Sequence, residues 1–178
     1  MTDPDGQLAE RRAVERPQWK GHVPDKLFTR LSAAPVAGDA LCALGDALLA
    51  TVSRRILELV ALRTSAVRDC PYMWNGHCRI ALEPPDPPLT AECVARVAAG
   101  PAALAGHDAV VVQGIDDVLA GRGLGAWAED AIGDGALSVL IATLFYATVA
   151  TIMSDAEPDA QPVPGLETPA IAARRVRW

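Results

Sequence analysis

Apolar residues recur along most of this chain at three- and four-residue intervals and nowhere alternate cleanly with polar ones. That is the helical period; a half-buried strand needs a period of two. From Pro24 the pattern turns helical: Leu27 and Leu31 precede an apolar run from Val36 to Leu49, punctuated by Pro24 and Pro35. Ser53 reads as the N-cap of a helix with an apolar stripe of Ile56, Leu59, Val60 and Val67. A further helix opens at Pro71. It must stop before Pro84-Pro85-Asp86-Pro87-Pro88, because proline lacks an amide hydrogen and restricts the residue before it.

Thr90 then opens a helix over Ala91–Ala99, with Cys93 leaving the capping box half made. Another helix runs from about Asp108 to Leu119, and Gly121-Arg122-Gly123-Leu124-Gly125 breaks the pattern. A short helix around Ala126–Ile132 and a long apolar helix from Asp134 to Asp155, with Asp134 as its N-cap, complete the set. The expected fold class is all-α. The expected organisation is a flexible arm over residues 1–23, a helical domain over 24–155 and a Pro-rich extended tail over 156–178, wrapped over the body or over a partner.

Composition narrows the picture. Of the 178 residues, 51% are hydrophobic and only 4% aromatic, so small aliphatic side chains dominate. Those suit close helix packing better than a sheet. A net charge of −6 excludes a general nucleic-acid binder, which needs a basic face to neutralise phosphates. The one basic cluster, Arg174, Arg175 and Arg177, stands at the C-terminal end and reads as a solvated tail or a clasp on a neighbouring subunit. Ala136 to Met153 is an 18-residue stretch without charge. Its four serine and threonine side chains and lack of basic flanks make it a buried core or subunit-interface helix rather than a membrane span. No apolar leader precedes Lys20, so the expected location is cytoplasmic, with Cys42, Cys70, Cys78 and Cys93 reduced. The Gly-rich break has no strand before it and no Lys-Ser/Thr after it, so it is no phosphate cradle.

Candidate chemistry concentrates between Glu58 and His77, where a carboxylate, a thiol and an imidazole occupy two helices joined at Asp69-Cys70-Pro71. Pro71 suits the first helical position and makes Cys70 the N-cap. A thiol facing unpaired amides and a positive helix end has a lowered pKa. Met73 and His77 share a face one turn apart. Each residue also has a plainer reading: Glu58 paired with Arg54 or Arg55, His77 satisfied in the core, Cys70 structural, and Tyr72, Met73, Trp74 and Tyr146 as packing. Cys78 lies about two helical turns from Cys70, too far to bridge. No C-x-x-C or H-x-x-x-H spacing points to a metal.

The register resembles that of the AhpD-like (alkylhydroperoxidase D-like) and carboxymuconolactone decarboxylase superfamily. Its peroxidases carry Glu, a Cys-x-x-Cys twelve residues later, and His four residues beyond the second Cys. Glu58, Cys70 and His77 fall on that register, whereas Met73 replaces the peroxide-reactive second cysteine. Tyr72, Trp74 and His77 also resemble a branch reading Tyr-Glu-Trp-x-x-His, with Met73 in place of its Glu. The likeness extends to Arg54-Arg55-x-x-Glu58 and to the apolar helix near Phe145-Tyr146, over roughly Leu27 to Met153, and is specific from Ser53 to Leu82.

The resemblance implies an AhpD-like helical domain, a homo-oligomer of dimeric or trimeric type, and a small-molecule substrate. The leading expectation is a cofactor-free enzyme in which Glu58 and His77 move protons and Cys70 is a further catalytic candidate. Tyr72, Met73, Trp74 and Tyr146 line the substrate site. Decarboxylation, isomerisation, dehydration or ring rearrangement of a lactone- or polyketide-like intermediate needs only one base and one donor. Two alternatives stand beside it: a single-cysteine peroxidase working through Cys70, and a ligand-binding or scaffold protein without catalysis. No metal, nucleic-acid or membrane partner is expected.

Overall fold

The computed structural model describes residues 25–124 and 132–167, and over them the chain is all-α, without a strand. The N-terminal arm over 1–23, most of the short helix expected at 126–132, and the tail from 168, with Arg174, Arg175 and Arg177, lie outside the described residues. The chain divides into two units, Met1–Asp46 and Ala47–Trp178. In the first, α1 (Asp25–Leu31) turns sharply into α2 (Pro35–Thr51), which runs on into the second unit. Gly38 makes that corner possible, since a Cβ there would lie 3.0 Å from both Cβ and the carbonyl oxygen of Leu31.

The second unit holds α3 (Arg54–Val67), α4 (Pro71–Ala81), α5 (Ala91–Ala99), α6 (Gly106–Leu119) and α7 (Ala136–Ile152). Ser53 caps α3, its Oγ accepting from the Ile56 amide at 3.4 Å, and Thr90 caps α5 by accepting from the Cys93 amide at 3.2 Å. α3 is the hub, packed against α4, α5, α6 and α7. The single stripe expected for it is therefore wrong in kind: Leu57, Leu59, Val60, Ala61 and Leu62 are all buried, whereas Val67 at the far end is exposed. Each large side chain buried there contributes about 1.5–3 kcal/mol.

A helix enclosed on this many sides must find internal partners for its charges. Arg54 donates to the Ile80 carbonyl at 2.9 Å and to Glu83 at 3.1 Å. Arg55 donates to the Pro88 carbonyl at 2.8 Å and to Asp108 at 3.1 Å. Arg63 makes a two-pronged pair with Asp116, at 2.6 and 2.8 Å, and also satisfies the Val97 and Ala98 carbonyls at the end of α5. One guanidinium thus ties α3 to α5 and α6.

The α3–α4 joint is a tight left-handed cap. Asp69 takes φ 49°, and the Cys70 amide reaches back to the Ser65 carbonyl at 2.9 Å. This is the six-to-one bond of a Schellman turn, with aspartate where glycine is usual. Pro71 then starts α4 with its φ already helical.

Three expected boundaries moved, among them the end of α7, which stops at Ile152 rather than at Asp155. α6 begins at Gly106, two residues before Asp108. α7 begins at Ala136 with Gly135 at the N-cap, because Asp134 is taken into a short 3-10 turn over Gly133–Gly135. α7 spans 17 residues without a charge, yet Leu137 and Leu144 are exposed on it. No helix among the described residues is long and apolar enough to cross a membrane.

Beyond α7 the chain returns along α4. The Trp74 indole N–H donates to the Leu166 carbonyl at 2.6 Å, the Asn75 amide to Ala160 at 3.1 Å and Arg79 to Gln161 at 3.1 Å. Leu166 is itself buried.

Removing one member of a buried ion pair leaves the other unsatisfied. Arg63→Ala is therefore expected to cost about 3–5 kcal/mol in urea unfolding. Arg96→Ala, on the exposed i,i+4 pair with Glu92, should cost under about 0.5 kcal/mol.

Candidate functional site

The buried face of α3 presents Glu58, whose carboxylate is 6% exposed, toward α4. Its hydrogen-bond partner is neither Arg54 nor Arg55, both committed elsewhere. It is His77, with Nδ1 2.9 Å from Oε2. An ionised carboxylate only accepts, so in that state Nδ1 is the donor and Nε2 of a neutral ring is the basic nitrogen. His77 is 18% exposed at its side chain, which leaves a route to the ring.

α7 closes the other side. Tyr146 meets the His77 ring edge-on, with centroids 5.2 Å apart and planes at 88°, and Phe145 packs against Tyr146 in the same manner at 5.1 Å. Burial, aided by the Glu58 charge, pushes the Tyr146 phenol well above its usual range, so it keeps its proton at any ordinary pH. The same two causes push the Cys78 thiol from about 9 up to about 12. Glu58 is therefore felt by three neighbours at once: imidazole, phenol and thiol.

The remaining expected site residues separate into groups. Met73 is buried one turn before His77, and Tyr72 is half-buried on the same helix. Trp74 is 2% exposed and spends its one donor on the tail at Leu166, which makes it a packing and anchoring residue. Cys70 does occupy the N-cap of α4, but its side chain makes no cap hydrogen bond. Its fully buried Sγ instead donates to the Met153 carbonyl at 3.8 Å, just past the end of α7. The expected exposure of that thiol to the helix amides is not what the fold provides, because the start of α4 is pressed against the end of α7.

Cys78 is the member of this cluster that sequence reasoning passed over. Its adjacency to His77 on the inward side of α4 was the available signal. Among the described residues no three His, Cys, Asp or Glu side chains converge as a cation site.

The raised Cys78 thiol has a consequence for stability. The unfolded thiol loses its proton near pH 9 while the folded one holds it to about 12, so stability falls as pH rises across that window. Tyr146 adds to the same decline. Cys78→Ala should flatten, without abolishing, the loss of stability between pH 9 and 12, as read by urea melts at stepped pH.

The chain matches no curated protein and no solved structure. Residues 35–111 do match the family model described as the carboxymuconolactone decarboxylase family. That segment contains Glu58, Cys70, Tyr72, Met73, Trp74 and His77, while Tyr146 lies beyond it. With its all-α fold, the chain is similar to that family over residues 35–111, a little under half of its length.

Proposed function

We propose that this protein is a cofactor-independent acid–base enzyme acting on a small organic intermediate of lactone- or polyketide-like type. The single observation that carries the reading is the Glu58–His77 hydrogen bond at 2.9 Å, on a site whose redox cysteine position holds Met73.

In this mechanism Glu58 fixes the tautomer and orientation of His77 and stabilises the imidazolium that forms. His77 Nε2 takes a proton from carbon or oxygen of the substrate and returns it later in the cycle. Tyr146 holds the ring from its edge and remains a neutral phenol throughout. Tyr72 is the other phenol proposed as an orienting donor. It lies five residues from His77, about 140° around the helix axis, so the packing of Tyr146 on the ring favours Tyr146 for that role.

A base and a neutral donor suffice for decarboxylation, isomerisation, dehydration or cyclisation next to a carbonyl. A cytoplasmic homo-oligomer in bacterial specialised metabolism is the proposed setting. The exposed Leu137 and Leu144 on uncharged α7 support subunit contact.

The single-cysteine peroxidase reading is disfavoured by Cys70, which is fully buried and donates its thiol proton to a carbonyl. A thiolate, not a thiol, attacks peroxide.

Two measurements test the reading. Lactones and enolisable ketones incubated in heavy water should exchange or convert with wild type. His77→Ala should lose about 10²–10⁴-fold, with Glu58→Gln falling in the same direction and Cys70→Ser near wild type. Failure of His77→Ala to reduce the rate would refute the assignment. Native thiol labelling at pH 7.5, read by mass spectrometry, should modify Cys42 and Cys93 and spare Cys70 and Cys78 until denaturant is added. Fast labelling of Cys70 with peroxide turnover would restore the redox reading.

A further inference from the structure

α4 carries the imidazole of the site, yet it packs chiefly against one helix, α3. Its other flank is held by a peptide. Three α4 side chains, Trp74, Asn75 and Arg79, donate to three tail carbonyls, those of Leu166, Ala160 and Gln161, at 2.6, 3.1 and 3.1 Å. Asn75 and Arg79 each stand two residues from His77, about 200° around the helix axis. The tail thus grips the side of α4 turned away from His77 through Asn75 and Arg79, while Trp74, three residues before His77 and about 60° around the axis, holds it on the nearer side. Buried Leu166 and nearly fully buried Trp74 anchor the far end of that grip.

We propose that Ala160–Leu166 is a strap that sets the rotation of α4 and so holds His77 Nδ1 on Glu58, with Trp74, Asn75 and Arg79 as positioning residues acting through it. This rests on the reading of Glu58–His77 as the working pair. The geometry explains why a strap is needed. A side chain on an α-helix lies about 5–6 Å from the axis, so a rotation of about 20° displaces it by about 2 Å. That is enough to break a 2.9 Å hydrogen bond, while productive site geometry tolerates only about 0.5 Å. Beside its packing on α3 and the α7 contacts of Cys70 and His77, α4 is held through Asn75 and Arg79 on the flank away from His77, and these donors oppose a roll of the helix. All three acceptors are backbone carbonyls, so the grip depends on the path of the tail more than on its side chains.

The test uses the full chain labelled with ¹⁵N-histidine and follows the His77 ring nitrogens by NMR, assigned with His77→Asn. In wild type His77 is expected to carry its neutral-form proton on Nδ1. The triple variant Trp74→Phe, Asn75→Ala, Arg79→Ala is expected to lose at least half of that form toward the Nε2–H form favoured in solvent. Trp74→Phe keeps an aromatic side chain but removes the donor together with part of the buried indole, and should give a smaller loss in the same direction. Arg96→Ala should leave the spectrum unchanged.

An unchanged His77 spectrum in a folded triple variant overturns the proposal. If the triple variant does not fold, Trp74→Phe decides by the same criterion. A wild-type His77 without the Nδ1–H form also overturns it. Because the readout is a tautomer and not a rate, it stands apart from the loss of activity in His77→Ala, which tests the catalytic reading itself.

Discussion

Everything in this structure answers to the enclosure of α3. A helix packed on four neighbours buries Leu57, Leu59, Val60, Ala61 and Leu62 on successive sides, and its charges are drawn to partners on those neighbours. Each charge on it therefore reaches a different part of the fold: Arg54 the end of α4, Arg55 the start of α6, Arg63 the last turn of α6 and the end of α5. Glu58 is the only acid on α3, and its partner is His77. The carboxylate–imidazole pair is thus part of the same solution that closes the core, and the site inherits its rigidity from the hub.

Much of this was legible in the chain where the physics is local. Ser53 and Thr90 cap helices through their own side chains, and Pro71 fixes a start that any sequence reader can place. The Glu58–His77 partnership was legible as a spacing, sharpened by the family register. What the sequence hid was long in range. The salt bridges of α3 join residues 29 to 53 positions apart, so nothing near Arg54 or Arg55 announces that Glu58 is not their partner. The docking of the tail on Trp74, 92 residues away, was hidden for the same reason. Asp134 misled because a helix start depends on which turn the preceding glycines adopt, and Gly133, at φ 67°, sends the chain into a 3-10 turn first.

The fate of the thiols follows from the same packing. Cys70 is sealed between the start of α4 and the end of α7, and Cys78, beside the Glu58 carboxylate, is held protonated by burial. Met73 stands where the Cys-x-x-Cys register that the sequence resembles has its second cysteine. On the proposed reading, a site that keeps the carboxylate and imidazole while silencing its sulfur works by proton transfer rather than by electron transfer. Met73, Phe145 and Tyr146 make its surroundings apolar, which strengthens each remaining polar interaction.

The most direct test of this account is a double-mutant cycle on Glu58→Gln and His77→Gln, measured by urea unfolding at pH 7.5. If the pair is the internal partnership that enclosure of α3 demands, the two substitutions will be strongly non-additive, with a coupling of about 1–3 kcal/mol. Additivity within about 0.5 kcal/mol would mean that each side chain is satisfied independently of the other, and would contradict the account.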